Sequence, residues 1–207
     1  MYYFFLKKFK KKHDPRRMKF MTPARDSDGT TQIGYKGIPS GFESNESAFE
    51  FIPSNHNIAL VQVPMISLIL TYSEVEFIKA ELAQKGHIST DAKTHYENGV
   101  KAAMEQWDVS ISEDYFENPN AAFNGSLEQI MLQKYIALYF NDYQQWFEYR
   151  RTGLPVLPRN DGMLNNQQMP VRFRYPVDVQ INNTDNYNEV VARLGGDNIN
   201  IKVWWEQ

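Results

Sequence analysis

Residues 126–158 read SLEQIMLQKYIALYFNDYQQWFEYRRTGLPVLP and predict two helices that meet at a short polar break. Apolar residues recur with helical spacing in the first helix and leave only a narrow polar strip, so we expect most of it to be buried. Ser126 and Gln129 form a capping-box pair at its start. Gly153 and Pro155 end the second helix, because glycine accepts the left-handed conformation and proline cannot continue a helix.

A second helix pair is predicted at about residues 65–107. Thr71 with Glu74 makes a capping box in its first helix, and Ser89–Thr90 is expected to cap its second helix. Two antiparallel helices in about 35 residues match one tetratricopeptide-like unit, and residues 126–153 would form another. The sequence therefore predicts a mainly α fold of tetratricopeptide-like helix pairs, with long irregular loops and a few short strands.

Regular patterning is weaker outside the helix pairs. Residues 22–57 are rich in Gly, Ser, Pro and Asn, which favours loops with short strands at most. Residues 58–63 and 171–176 alternate loosely and predict short strands. Residues 182–188 indicate a loop, and residues 189–194 a brief helical turn.

Composition excludes several classes of protein. The 207 residues are 42% hydrophobic, enough for a core, yet no apolar run reaches the roughly 20 residues that span a bilayer. The absence of cysteine excludes disulfides, thiolate metal sites and a cysteine nucleophile. None of the four histidines is spaced four residues from another on a helix, so no metal site and no cofactor are expected.

The net charge of −3 is unevenly distributed, because residues 7–19 hold a run of lysines and arginines and one acidic residue. We interpret residues 1–13 as a basic, poorly ordered N-terminal arm and residues 14–207 as the body of the domain. Nucleic-acid binding would require an ordered basic face, so no such partner is expected.

The first helix of the upstream pair carries three glutamates that need an explanation. Glu81 lies beside apolar positions of the helix, and a buried carboxylate needs a partner, so we predict a structural ion pair with Arg150 or Arg151. A glycoside hydrolase needs two carboxylates on opposite sides of a cleft. Because Glu74, Glu76 and Glu81 share one helix, salt bridges are the expected role and the chain is interpreted as a non-enzyme.

Several phrases resemble, in order, the C-terminal half of the SusD/RagB family, and cover nearly the whole chain from Asp14. They are Asp14–Arg16, Tyr35–Gly41, Leu70–Glu81, Gln133–Leu138, Trp146–Pro155, Arg172–Pro176 and the closing Trp204–Trp205. The resemblance implies a mainly helical fold with tetratricopeptide-like helix pairs, an irregular ligand-binding half and no catalysis.

Members of that family are nutrient-binding lipoproteins on the outer face of the outer membrane of Bacteroidota. The resemblance therefore implies capture of a glycan or a peptide and its delivery to a SusC-type TonB-dependent transporter. This sequence has no signal peptide, no lipidated cysteine for a membrane anchor and no counterpart of the family's N-terminal helices, and we interpret it as a partial chain.

Family ligand sites usually consist of aromatic side chains on the loops outside the helix pairs. Tyr35 and Phe42 lie in such a loop region and are the candidate ligand-binding residues, since an aromatic ring can stack on the apolar face of a sugar. The alternative function is an intracellular helical-repeat scaffold that binds a protein partner. The long loops at residues 14–60 and 153–200 argue against it.

Overall fold

The computed structural model describes residues 2–39, 49–62, 65 and 67–206. The chain divides into two compact units, residues 1–160 and 161–207. The helices are α1 (Tyr2–Lys12), α2 (Arg16–Phe20), α3 (Tyr72–Gln84), α4 (Ala92–Glu105), α5 (Leu127–Ala137), α6 (Gln144–Thr152), α7 (Val177–Asn182) and α8 (Thr184–Leu194). Strands β1 (Arg25–Asp26) and β2 (Phe51–Ile52) pair antiparallel, and 3-10 turns lie at Ile58–Val61, Tyr115–Glu117, Asn165–Gln167 and Trp204–Glu206. The mainly α prediction is confirmed.

None of the helices in the described part of the chain combines the length and the hydropathy that a membrane crossing requires.

Side-chain caps start the helices of the first unit. The Thr71 hydroxyl accepts a hydrogen bond from the Glu74 amide at 3.1 Å, and the Ser126 hydroxyl accepts one from the Gln129 amide at 3.1 Å. The expected cap of α4 at Ser89–Thr90 is wrong by one residue. The Asp91 carboxylate accepts from the first-turn amides instead, because it offers two acceptor oxygens and a negative charge to the helix N-terminus.

Helix α5 is buried on nearly every side, because it contributes to two apolar clusters. Its residues Ile130 and Met131 pack with α3 and α4, and its residues Tyr135 and Ile136 pack with α1 and α2. The first cluster is built mainly of Phe77, Ala80, Tyr96, Val100, Ala103, Met104, Tyr115, Ile130 and Met131. The second contains Phe5, Leu6, Phe9, Phe20, Met21, Trp107, Leu132, Tyr135, Ile136 and Tyr139.

A hydrogen bond and an ion pair join the two helices of the expected second pair. Helix α6 follows α5 after a break, and the Gln145 side-chain amide donates to the Tyr135 carbonyl at 2.6 Å. Lys134 of α5, almost fully buried, forms an ion pair with Glu148 of α6 at 3.0 Å. Helix α6 ends at Gly153, whose φ of 71° is the left-handed value expected for that glycine.

The poorly ordered arm predicted for residues 1–13 is not what the structure shows. Residues 2–12 form α1, and the rings of Phe5 and Phe9 are completely enclosed in the second cluster. Phe5 stacks on Tyr135 with ring centroids 5.4 Å apart. The two phenylalanines are four residues apart and share one face of the helix, so burial of that face outweighs the repulsion among the lysines of the same helix.

Three other local expectations are wrong. Residues 58–61 form a 3-10 turn instead of a strand, because the Asn57 side chain accepts from the Ala59 amide and starts a helical turn. Residues 171–176, all of them described, form no strand. Residues 184–194 form α8, because the apolar residues of this Asn-rich segment recur with helical spacing.

The close approach of α3 and α4 depends on Gly99. A Cβ atom at this position would lie 3.0 Å from three carbons of the Phe77 ring, closer than a normal contact. We expect Gly99→Ala to lower the free energy of unfolding by about 1 kcal/mol, because overpacking of roughly 1–3 kcal/mol exceeds the helix-propensity gain of about 1 kcal/mol. Chemical denaturation monitored by circular dichroism measures the change.

The matched control for Gly99→Ala is the same substitution in a Phe77→Leu background. Removing the ring removes the clash, so alanine should then stabilise the helix relative to glycine. A loss of the same size in both backgrounds would contradict the close-packing explanation.

A buried polar network fixes the turn between α1 and α2. The Asp14 carboxylate accepts two hydrogen bonds from the Arg16 guanidinium, at 2.9 and 2.6 Å, and one from the Tyr115 hydroxyl at 3.0 Å. Arg16 also donates to the Gln133 side chain of α5 at 2.9 Å. Burial alone would raise the pKa of Asp14. The charge of Arg16 and these hydrogen bonds lower it by more than burial raises it, so the pKa lies below the ordinary value.

Candidate ligand-binding cleft

A cleft of about 420 Å³ opens beside α1 in the first unit, within the usual range of roughly 300–1,000 Å³ for ligand pockets. Positions 3, 6, 7 and 10 of α1 form one wall, since residues with this spacing share a helix face. Leu6 is almost fully buried, whereas Tyr3 is about half exposed. The same helix thus packs one face into the core and lines the cleft with another.

The other walls come from α2, the loop at residues 35–37 and β2. Arg17 follows directly after the buried Arg16, so the Asp14–Arg16 pair sets its position. The loop is held by a two-way contact, because the Lys36 amide donates to the Ser54 hydroxyl at 3.2 Å and the Ser54 amide donates to the Lys36 carbonyl at 2.8 Å. Phe51 is carried by β2, opposite Asp26 of β1.

Each aromatic ring of the cleft has a cation beside it. The Arg17 guanidinium carbon lies 4.5 Å from the centroid of the Tyr35 ring. The Lys36 ammonium lies 5.1 Å from the centroid of Phe51, and the Lys7 ammonium 6.0 Å from that of Tyr3. These distances fall within the range of cation–π attraction. The cleft therefore combines ring faces, which suit sugar C–H groups, with positive charge.

A second cleft, of about 530 Å³, lies near the C-terminus of α1 and differs in chemistry. Its lining mixes lysines with the acidic residues Asp114 and Glu117, and its one aromatic residue, Tyr115, is nearly buried. The Lys12 ammonium is already used by the Asn120 carbonyl. Burial lowers the pKa of Lys12 to about 8, although Asp14 opposes the shift. Among its described lining residues, this cleft offers no exposed Tyr, Phe or Trp ring face for stacking.

Of the two residues singled out as ligand candidates, Tyr35 lines the first cleft and Phe42 lies outside the described residues. Sequence reasoning missed the contributions of α1, Arg17 and Phe51. The helical spacing of apolar residues in positions 3–9 was the available signal, but the lysines among them favoured an arm.

The glutamates of α3 lie in polar contacts away from both clefts. Glu81 accepts two hydrogen bonds from Arg151, at 2.8 and 2.6 Å, whereas Arg150 lies over the Trp146 ring at 4.8 Å. Glu76 contacts His95 and Lys79, at 2.7 and 2.8 Å.

Glu74 is buried, and one of its oxygens has no hydrogen-bond partner in the described part of the chain. The pKa of Glu74 is raised, mainly by burial. The charge of Lys134 opposes this rise, and the charge of Glu148 adds to it. None of the three glutamates lines either cleft. They therefore do not supply, in either of these two clefts, the pair of carboxylates that glycoside hydrolysis requires.

Within the described residues, no three His, Asp or Glu side chains come together as a set that could hold a metal ion.

The Glu81–Arg151 contact predicts a pH effect. Burial raises the pKa of Glu81, but hydrogen bonds from Arg151 and Lys85 lower it more strongly, to about 2 from an ordinary 4.5. Because the folded-state pKa is depressed, the stabilisation is present above pH 4.5 and is lost as the pH falls toward 2. We expect Glu81→Gln to reduce the acid loss of stability in this interval.

Urea titrations at successive pH values measure this effect, and Glu128→Gln, a substitution on α5 outside this contact, serves as the control. Identical pH dependence in the native chain and in Glu81→Gln would contradict the prediction.

The chain is similar to a protein family described as starch-binding and associating with the outer membrane, whose SusD-like model matches residues 1–176. No curated protein matches the chain. Solved structures do match it, and the chain spans about half of the length of each one described below.

A chitin-binding protein shares 28% sequence identity with this chain, with a TM-score of 0.80. The match covers 99% of this chain and 49% of the chitin-binding protein. A SusD homologue from Bacteroides thetaiotaomicron shares 27% sequence identity, with a TM-score of 0.72, and the match covers 96% of this chain and 50% of the homologue. A SusD homologue from Bacteroides fragilis shares 25% sequence identity, with a TM-score of 0.72, and the match covers 98% of this chain and 51% of the homologue.

Proposed function

We propose that this chain takes part in binding glycan nutrients at the outer membrane. The premise is that the chain belongs to the SusD-like family of starch-binding proteins that associate with the outer membrane. The match of the family model over residues 1–176 carries the proposal. The similarity to a chitin-binding protein supports a saccharide ligand over a peptide. In this proposal the chain acts on the outer face of the membrane and passes the ligand to a SusC-type TonB-dependent transporter.

The ligand site of this proposal is the cleft that contains Tyr35. Its rings can cover the apolar face of a sugar while the lysines and backbone groups contact the hydroxyls. Helices α3–α6 serve as a rigid framework with no reactive centre. The glutamates of α3 support this role, because Glu76 and Glu81 are committed to neighbouring cations.

Affinity electrophoresis of the purified chain in gels containing starch, soluble chitin derivatives or other polysaccharides tests the function. We expect retardation by at least one polysaccharide and roughly tenfold weaker binding for Tyr35→Ala, equivalent to about 1.4 kcal/mol. Tyr72→Ala is the matched control, since Tyr72 is 64% exposed and lines neither cleft. No retardation by any polysaccharide would overturn the function, and unchanged binding by Tyr35→Ala would overturn the site.

Two further experiments address the partner and the absence of catalysis. The transporter proposal predicts that the tagged chain, expressed in its own host, retains a TonB-dependent transporter after detergent extraction. Recovery of the tagged chain without such a transporter would contradict this proposal.

A polysaccharide that binds should remain uncleaved after prolonged incubation, and turnover that disappears in Glu76→Gln would overturn the non-catalytic assignment.

A further inference from the structure

The charged residues of the Tyr35 cleft all have one sign. Four of the residues that line it are cations, namely Lys7, Lys10, Arg17 and Lys36, and no carboxylate is among the described lining residues. Three of these cations come from α1 and α2, and the fourth comes from the loop before β2. A concave surface with one sign of charge concentrates its field and attracts ligands of the opposite sign.

These cations have not been neutralised by the protein itself. Arg16 is paired with Asp14, whereas none of the four cleft cations has an ion pair among the described residues. Three of them lie beside the aromatic rings of the cleft, and cation–π attraction contributes about 0.5–1 kcal/mol at exposed sites. A ligand carboxylate or sulfate would therefore gain direct ion pairs with cations that no carboxylate among the described residues already neutralises.

Lys8 of α1 shows that the lysines of this helix repel one another, in addition to the effect of burial. Burial, Lys11 and Lys7 together lower the pKa of Lys8, which lies on α1 next to the cleft wall. Repulsion among lysines on α1 costs stability that an anion in the cleft would recover. The apolar face of the helix supplies the compensating burial, as Phe5 and Phe9 show.

We propose that the Tyr35 cleft binds an acidic saccharide, in which the sugar faces stack on Tyr3, Tyr35 or Phe51 and the carboxylate or sulfate groups pair with Lys7, Lys10, Arg17 and Lys36. This inference rests on the proposed function and specifies its ligand class. The combination of rings and cations in a concave site fits an acidic sugar chain better than a flat lipid surface, because each residue of such a chain presents both an apolar face and an anion.

Two matched ligand pairs test the charge requirement without changing the sugar. Polygalacturonate is compared with its methyl ester, and dextran sulfate with unmodified dextran, by isothermal titration calorimetry with the whole chain. We expect at least one acidic member to bind roughly tenfold or more tightly than its neutral partner, with an affinity that falls as salt is raised. Equal affinity within both pairs would overturn the inference.

Matched variants test the site. Lys36→Gln and the double variant Lys7→Gln/Lys36→Gln should weaken binding of the preferred acidic saccharide by about threefold and tenfold, respectively. Lys101→Gln is the control, because Lys101 also lies over an aromatic ring, Phe116, at 5.6 Å but does not line the cleft. The inference fails if Lys101→Gln and the cleft variants have equal effects.

Two further titrations distinguish an acidic saccharide from a nucleic acid or an anionic membrane. Oligothymidylate and vesicles with anionic lipid are titrated under the same conditions, and tighter binding of either one than of both acidic saccharides would overturn the inference. Binding of starch or chitin derivatives without a preference for acidic saccharides would overturn it while leaving the proposed function intact. Binding of no saccharide, neutral or acidic, would overturn both.

Discussion

Asp14→Ala is expected to lower the free energy of unfolding by about 3–5 kcal/mol, the usual cost of removing one partner of a buried ion pair. The Arg16 side chain is 0% exposed, and the substitution leaves its charge without a partner inside the protein. The Tyr115 hydroxyl also loses its acceptor. Urea denaturation at neutral pH, followed by circular dichroism, measures the loss.

The controls separate charge from shape. Asp14→Asn should cost less, because the amide oxygen still accepts one hydrogen bond. Arg16→Met in the Asp14→Ala background should recover part of the stability, since it removes the uncompensated charge. Arg174→Gln, at an exposed position, should have little effect. A loss below about 1 kcal/mol for Asp14→Ala would contradict the role given to this network.

Phe9→Ala is expected to destabilise the chain by about 3–5 kcal/mol, through lost burial and the cavity that remains. The Phe9 ring is fully enclosed and lies 5.8 Å from the Phe5 ring and 5.9 Å from the Phe20 ring, centroid to centroid. The prediction separates a packed α1 from a disordered arm, in which the same substitution would cost almost nothing. The free energy of unfolding from urea denaturation decides between them.

Lys11→Ala is the matched control for Phe9→Ala. Lys11 belongs to the same helix but is exposed, and alanine is the better helix former, so a change within about 0.5 kcal/mol is expected. Equal stability of Phe9→Ala and Lys11→Ala would mean that α1 does not contribute to the core.

The central helices were predictable because their local signals agree with their packing. Thr71 and Ser126 cap helices whose apolar residues have helical spacing. The boundary at Asp91 was misplaced by one residue, since Ser, Thr and Asp are all good caps and local sequence does not rank them reliably.

The N-terminal helix was missed because its lysines outweighed its phenylalanines in the interpretation. Phe5 and Phe9 gain their burial from α2 and α5, and neither contact can be read from residues 1–13 alone. Only the second half of helix α8 was predicted, at residues 189–194, since the asparagines of its first half resemble a loop while its apolar face has helical spacing.

Only one of the described residues that line the candidate cleft, Tyr35, was predicted from the sequence. Tyr35 was singled out by its residue type and its loop, but Lys7, Arg17 and Phe51 meet it only through the packing of α1, α2 and β2. Long-range proximity of this kind leaves no local pattern in a single sequence. The ligand role of Phe42 stays a prediction.

The burial of α5 in both apolar clusters has a consequence for how residues 1–160 open. A helix shared by two clusters cannot lose its hydrogen bonds until both clusters separate, so its backbone amides should exchange with deuterium only through the largest opening event of the unit. The amides of Ile130 and Ile136 would then report the same protection, although one lies against α3 and α4 and the other against α1 and α2. The two clusters would therefore melt together.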